Sequence, residues 1–209
     1  MGRFRHHAEK IVDGGQGIMD RYLDALRASQ TANEAFKAVE RRNYAGSQSR
    51  PSYRELAEAQ EAREAASKRL SETVRACKAE SAKLAREGRR ALDKDVESFY
   101  SIDSGKFDLA FSALADSGIM EDSDYAAAFG KYAENGTMLR YLAGKVEPRV
   151  KAGVASAELR NAYSAYAEGY GPDAVKANFK TLCRTLERFT CSDYSPHWDK
   201  QVEPMMEVF

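Results

Sequence analysis

The three histidines of the sequence are its strongest candidates for acid–base catalysis or metal binding. His6 and His7 are adjacent, so in a helix they point to different faces, and we expect a poor chelate. A Ser/Cys–His–Asp site would have to be built around His197, beside Trp198 and Asp199. The other two histidines lie in a terminus that is expected to fray. A structural or solvent-exposed role is therefore the simpler interpretation of all three.

Three cysteines could act as nucleophiles or metal ligands, but Cys77, Cys183 and Cys191 show no CxxC spacing. Cys77 and Cys183 each fall on the apolar stripe of a predicted helix, which favours buried reduced thiols over redox or metal chemistry. Cys191 follows the end of a predicted helix and could be exposed. We therefore expect neither a disulfide framework nor a metal site.

Other motifs that carry chemistry are missing or incomplete. Residues 14–17 are glycine-rich, but they lack the GxxxxGK[ST] pattern of a phosphate loop and follow no strand, so we interpret them as a hinge. Residues 116–124 are acidic without the ligand order of an EF-hand, and a helix end followed by a helix cap explains them. Glu58 and Glu61 lack the Glu-x-x-His partners of a di-metal bundle. The sequence predicts a protein that is not an enzyme and uses no cofactor.

Charge and hydropathy restrict the classes of partner. Lys plus Arg and Asp plus Glu are equal at 32 each, so no net charge attracts nucleic acid or anionic lipid. The basic run at 86–90 is flanked by acidic residues, which also argues against nucleic acid as a partner. Mean hydropathy is −0.61, and no apolar run approaches the roughly 18 residues that span a bilayer. We expect a cytoplasmic protein without a membrane partner.

Any site must be positioned by helices. Ala, Glu, Lys, Arg and Leu dominate the sequence, and no stretch alternates apolar with polar residues as a strand would. The first helix is predicted to begin near Ile18, since each preceding glycine would cost about 1 kcal/mol inside a helix, and to end near Tyr44. Residues 45–51 form a predicted loop. Ser52 and Glu55 match a capping box, and the chain from 53 to 100 contains no proline, which predicts one long helix.

The long helix carries an apolar stripe with an eleven-residue repeat beyond its first third. Such a stripe must pack on the first helix, on a second copy of the chain, or on both. We expect an antiparallel hairpin of the two helices, with the overhanging part of the long helix used for self-association. The predicted helix-packing interface consists of Leu70, Val74, Cys77, Leu84, Leu92, Val96 and Phe99.

Beyond residue 100 the pattern changes to short helices separated by caps and breaks. The predicted helices run from about 105 to 117, from a cap at 122–124 to 135, from a cap at Thr137 to a break at Pro148, from Ser156 to Gly169, and from Pro172 to about Phe189. The tail from 191 to 209 contains Pro196 and Pro204, and we expect it to be extended and docked by Trp198, or partly mobile. The predicted fold is all-α, with a long helical hairpin or coiled coil at 1–102, a small bundle of short helices at 103–190, and the tail.

Three tyrosines, Tyr163, Tyr166 and Tyr170, lie along one face of a predicted helix. Such a stripe could stack on bases or bind a proline-rich peptide, although it more often belongs to a core or an interface. We keep it as a possible partner surface.

A segment after the long helix resembles a known group of proteins. Residues 117–125 read SGIMEDSDY and residues 131–141 read KYAENGTMLRY. Together with the preceding helix, the region 103–142 is similar to small, largely uncharacterised helical proteins encoded among phage and prophage head genes. Gly136 stands where that pattern has a proline. The resemblance implies a structural or assembly role and carries over no catalytic residue.

These observations favour a prophage-encoded, non-enzymatic structural or scaffold-like protein. It would act through helical self-association as a homo-oligomer and through contacts with capsid or other virion proteins, and it could be virion-associated. The alternative is a cytosolic adaptor or regulator that binds a partner protein or nucleic acid through the tyrosines or a basic face.

Overall fold

The computed structural model describes residues 2–44 and 50–209, with Tyr44 described in its backbone alone, so most of the predicted loop at 45–51 lies outside the described residues. The α-helices are α1 (Arg5–Tyr44), α2 (Tyr53–Phe99), α3 (Leu109–Asp116), α4 (Asp122–Lys131), α5 (Gly136–Lys151), α6 (Ala157–Ala165), α7 (Pro172–Phe189) and α8 (Trp198–Met206). Within the described ranges there is no strand, and the predicted all-α fold is confirmed. No helix in those ranges is both long and apolar enough to cross a bilayer.

The chain divides into two compact units, each assembled from segments that are distant in sequence. The first unit comprises Met1–Glu9, Glu87–Leu182 and Pro204–Phe209, and the second comprises Lys10–Arg86 and Cys183–Glu203. The division predicted from sequence follows the chain instead, with boundaries after residues 102 and 190. Several helices therefore contribute residues to both units.

In the second unit, α1 and α2 form the expected antiparallel pair. The contacts are an ion pair of Arg42 with Glu55, the guanidinium of Arg63 4.0 Å from the ring centroid of Phe36, an ion pair of Arg21 with Glu80, and the Cys77 thiol 3.6 Å from the carbonyl oxygen of Ile18. Residue numbers rise along one helix as they fall along the other. The 47 residues of α2 form one helix, as the absence of proline predicts.

The predicted start of the first helix is wrong, because α1 already begins at Arg5 and runs through the glycine-rich residues 14–17. Two of these glycines lie where neighbouring side chains approach the helix closely. A Cβ atom at Gly14 would lie 2.6 Å from a methyl carbon of Leu84, and one at Gly15 would lie 2.6 Å from Trp198 and 2.9 Å from Leu186. Close packing thus outweighs the low helix propensity of glycine, and the segment is not a hinge.

The tail is helical rather than extended. Residues Ser195–His197 form a 3-10 turn, and α8 follows directly at Trp198, whose ring is buried in the second unit. The Trp198 indole N–H donates to the carbonyl oxygen of Val12 at 3.1 Å, so the prediction that this side chain docks the tail is confirmed. The start of a short helix tolerates Pro196, since the first amide groups of a helix have no intrahelical partner.

The core of the first unit lies among α4, α5, α6 and the first half of α7. Its fully buried side chains include Phe129, Met138, Leu139, Leu142, Leu159 and Phe179. In α5 the buried residues recur at the spacing of one helical face, and the opposite face carries Arg140, Gly144 and Lys145.

Two predicted caps differ in detail from the structure. Asn135, not Thr137, caps α5 by accepting from the Met138 amide at 3.2 Å, whereas the Thr137 hydroxyl donates to the carbonyl of Ser101. The capping box of α4 joins Glu121 and Asp124. A polar side chain near the start of a helix can cap that helix or form a hydrogen bond elsewhere. The spacing of such residues in the sequence does not decide between these two uses.

Asp122, the remaining predicted cap residue of α4, binds across the first unit instead. Its carboxylate accepts from the Ser156 amide at 2.5 Å and pairs with Arg149 at 2.5 Å. The Ser156 amide, assisted by the Arg149 guanidinium, holds the pKa of the Asp122 carboxyl below its usual range. This carboxylate therefore fastens the start of α6 to the start of α4.

Two helix ends also differ from prediction. Pro148 does not break α5, which continues to Lys151. Proline has no N–H to donate to the carbonyl of Gly144, but Gly144 lies on the exposed side of the helix, where water can bind that carbonyl. The helix predicted from Ser156 to Gly169 ends as α6 at Ala165 and continues as a π-helical turn over Tyr166–Tyr170. Ser156 caps α6 as predicted, and α7 begins at Pro172 as predicted.

Candidate functional site

The predicted helix-packing interface on α2 is covered to different degrees by the chain itself. Cys77, Leu92 and Val96 are buried, whereas Leu70, Val74, Leu84 and Phe99 are partly exposed. In the second unit Leu84 packs against Gly14, and in the first unit the Phe99 ring meets the Phe4 ring edge-on at 6.0 Å. These contacts are within one chain, and use of the stripe by a second copy stays a prediction.

The three tyrosines of the predicted partner surface pack together in the first unit. Tyr166 is buried, with its ring centroid 5.4 Å from Phe129, 6.2 Å from Tyr163 and 5.5 Å from Tyr170. Burial raises the pKa of Tyr166 to about 12. A stacking platform needs an exposed ring face, so Tyr166 serves as a core residue here, and Tyr163 and Tyr170 are half-buried.

An aromatic pocket of about 430 Å³ lies in the first unit. Its wall includes Phe4, Phe99, Tyr100, Tyr170, Val175 and Phe209. The Tyr100 hydroxyl donates to the carbonyl of Tyr170 at 2.5 Å, and burial raises the pKa of Tyr100. At the edge, Arg3 pairs with Glu134 at 2.8 Å and thereby lowers the pKa of that carboxyl. The pocket is suited to an apolar group.

A second feature of the first unit is a groove between α3 and α4. Its wall consists of Phe111, Leu114, Ile119, Met120, Asp124, Ala127, Ala128 and Lys131, and its volume is about 370 Å³. We call it the α3–α4 groove. In this wall the side chain of Ile119 is 73% exposed and that of Leu114 51%. Such exposure of large aliphatic side chains in one short segment is characteristic of a contact surface for another molecule.

Local anchoring explains why α3 forms although so little of it is buried. Asp108 caps the helix by accepting from the Phe111 amide at 2.9 Å and also accepts from the Tyr132 hydroxyl at 2.5 Å. The Tyr132 hydroxyl is the main cause that lowers the pKa of the Asp108 carboxyl. Sequence reasoning missed this surface. The sequence does contain an indication of it in α3, whose eight residues LAFSALAD are apolar on nearly every side of the helix. So short a helix cannot bury all of these side chains.

The histidines are arranged differently from the sequence-based expectation. His6 and His7 both reach Asp95 of α2 in the first unit, with their ring centroids 4.0 Å apart. His7 is buried, and its Nε2 lies 2.8 Å from Asp95 Oδ2. His197 is exposed. The nearby Ser195 hydroxyl donates to the carbonyl of Phe189, so this hydroxyl is not paired with the His197 imidazole as a nucleophile would be.

The three cysteines form no disulfide with one another, and two of them interact in the second unit. Cys77 and Cys183 are buried as expected, while Cys191 is partly exposed. Burial is the main cause that raises the pKa of Cys191 to about 11, and the adjacent Cys77 thiol contributes. The environment of Cys191 therefore disfavours the nucleophilic thiolate.

We expect Cys191 to be alkylated by iodoacetamide at pH 8 at least about tenfold more slowly than a thiol of pKa 9.0, because only the thiolate reacts and its scarcity outweighs the stronger nucleophilicity of a more basic thiolate. The rate should rise about tenfold per pH unit as the pH approaches the raised pKa. Site-resolved mass spectrometry measures this, with the protein in denaturant as the control. A rate in the folded protein equal to that in denaturant contradicts the shifted pKa.

Comparisons with protein-family models, with curated proteins and with solved structures did not give a match for this chain.

Proposed function

We propose that this chain is a non-enzymatic helical assembly protein that associates with a second copy of itself through the α3–α4 groove. The observation that supports the proposal is the exposure of large aliphatic side chains in the groove wall, Ile119 and Leu114 above all. Covering such side chains contributes roughly 25 cal/mol per Å² of apolar surface removed from water. The groove lies in the segment 103–142 that resembles phage head-region proteins, which suggests a phage or prophage structural role.

The charges at the groove favour a second copy as the occupant. Asp124 lies near the start of α4 and Lys131 at its end, and both contribute to the groove wall. In a two-fold contact whose axis passes near the middle of α4, Asp124 of one copy comes opposite Lys131 of its partner. Each also keeps its partner within the chain, the Glu121 amide for Asp124 and the Asp108 carboxylate for Lys131. The formal net charge of the chain is zero, and long-range repulsion between copies is therefore absent.

Sedimentation equilibrium at tens of micromolar concentration tests this proposal through Ile119→Asp. The wild type is expected to be a dimer, and the variant should dissociate at least about 30-fold more readily, because a buried aspartate at the contact lacks a partner. Val154→Asp is the matched control, since Val154 is 68% exposed in the same unit but does not belong to the groove wall. It should sediment like the wild type.

A wild type that remains strictly monomeric at this concentration contradicts self-association, and equal effects of the two substitutions contradict the choice of surface. The phage role has its own test in the organism that encodes the chain. Ile119→Asp at the native locus should lower the yield of phage particles after induction, while Val154→Asp should leave it unchanged. An unchanged yield in both strains contradicts the assembly role.

A further inference from the structure

The cluster of His6, His7 and Asp95 has the composition of a transition-metal site. One potential ligand atom from each side chain lies within 4.8 Å of the others. The distances to Asp95 Oδ2 are 2.8 Å from His7 Nε2 and 3.8 Å from His6 Nε2. Ligand atoms around a tetrahedral zinc ion are about 3.3 Å apart for bonds of about 2.0–2.1 Å, so movements on the order of 1 Å complete the geometry.

The backbone fixes which ring nitrogen of His6 can bind a metal. Nδ1 lies 3.2 Å from the carbonyl oxygen of Arg3, which can only accept, so Nδ1 carries the hydrogen. In the neutral imidazole the lone pair is then on Nε2, the atom that faces Asp95. Histidines that bind metals commonly donate their other ring N–H to a backbone carbonyl in this way, because the bond fixes tautomer and orientation.

A structural His7–Asp95 hydrogen bond alone does not account for this arrangement. It leaves unexplained why His6 also brings Nε2 to 3.8 Å from Asp95 Oδ2, since an imidazole lone pair and a carboxylate oxygen are both acceptors and attract each other only through a bound proton or metal cation. The three side chains of the cluster also differ in exposure to solvent. The His7 side chain is buried, whereas those of His6 and Asp95 are about half exposed, so a metal ion can reach the site from solvent.

We propose that His6, His7 and Asp95 bind a Zn²⁺ ion that ties the first turn of α1 to α2 within the first unit. Two imidazoles and one carboxylate suit zinc among the common divalent ions, whereas magnesium and calcium prefer oxygen ligands alone. Three protein ligands leave one tetrahedral position for water. This inference is independent of the proposed assembly role, because no cluster residue belongs to the α3–α4 groove.

The test is a titration of the full chain, freed of metal by a chelator, with Zn²⁺ alone in an isothermal calorimeter. One ion should bind per chain. A hundredfold excess of zinc over its Kd should raise Tm by about 5–10 °C, because the metal binds the folded state only. Substituted Co²⁺ should show the visible absorption of a nitrogen- and oxygen-ligated ion.

Variants identify the ligands. His6→Ala and Asp95→Asn should each weaken zinc binding at least about tenfold, and both positions are exposed enough for the fold to persist. His197→Ala is the matched control, because it removes the one histidine outside the cluster and should leave the affinity unchanged. Absence of one-to-one binding, or equal affinity of Asp95→Asn and wild type, overturns the proposal. A loss caused by His197→Ala also overturns it.

Discussion

Gly136→Ala is expected to lower the free energy of unfolding by about 3 kcal/mol, the upper end of the usual cost of overpacking. A Cβ atom at position 136 would lie 2.1 Å from the carbonyl oxygen of Phe99 and 2.7 Å from its carbonyl carbon. Backbone atoms cannot rotate away as the end of a side chain can, so the start of α5 or the end of α2 must shift. Chemical denaturation, followed by the helical circular dichroism signal, measures the change.

Gly144→Ala in the same helix is the control. No heavy atom lies within 4 Å of the position that its Cβ would occupy, so the substitution should raise the free energy of unfolding by about 0.5–1 kcal/mol through helix propensity alone. If the two substitutions shift the unfolding transition in the same direction, the close approach of Phe99 is not what makes Gly136 necessary.

Trp198→Ala is expected to lower the free energy of unfolding by about 3–5 kcal/mol, as truncations of large buried aromatic residues do. The Trp198 side chain is 1% exposed and its ring touches the backbone at Gly15, so a cavity would open between the tail and α1 in the second unit. The carbonyl of Val12 would also lose the indole N–H that it accepts. Thermal unfolding by differential scanning calorimetry measures the loss.

Tyr194→Ala, four residues earlier in the tail, is the matched control because its side chain is 52% exposed. Its effect should stay below about 1 kcal/mol, since it leaves no closed cavity. The loss in the free energy of unfolding caused by Trp198→Phe should lie between those of Trp198→Ala and Tyr194→Ala, because phenylalanine retains much of the ring volume but lacks the indole N–H. A Trp198→Ala variant as stable as Tyr194→Ala would show that the tail does not depend on this side chain.

The long helix could be predicted because several local signals agree there. The segment from Tyr53 to Phe99 lacks proline, begins after a capping serine and repeats its apolar residues at helical spacing. The start of α1 could not be predicted in the same way. Local propensity places a break at the glycines, whereas their actual role is to admit Leu84 and Trp198, which are 70 or more residues away in sequence. Propensity is a weak prior against such tertiary contacts.

The candidate sites were less accessible to sequence reasoning than the fold. Adjacent histidines point apart along an ideal helix, but His6 folds back onto the Arg3 carbonyl and so shares Asp95 with His7. These three side chains meet only because the start of α1 packs beside Asp95 of α2. The spacing of residues along the sequence does not predict that contact. The α3–α4 groove, by contrast, has a local signal in the apolar composition of Leu109–Asp116.

The glycine at position 136, where the proposed resemblance to phage proteins leads us to expect a proline, also has a physical reason. Proline is well suited to the first residue of a helix, and Gly136 is the first residue of α5. Here, however, the Phe99 carbonyl occupies the space of any side chain, so a proline ring would collide with the end of α2. The glycine keeps the Asn135 cap while permitting this approach.

The assembly of the first unit from distant segments has a consequence for biosynthesis. Phe4 meets the ring of Phe99 and His7 that of Phe179, so these contacts form only after about 95 and about 172 further residues, respectively, have been synthesised. Until then the Phe4 ring and the His7 imidazole stay accessible to chaperones.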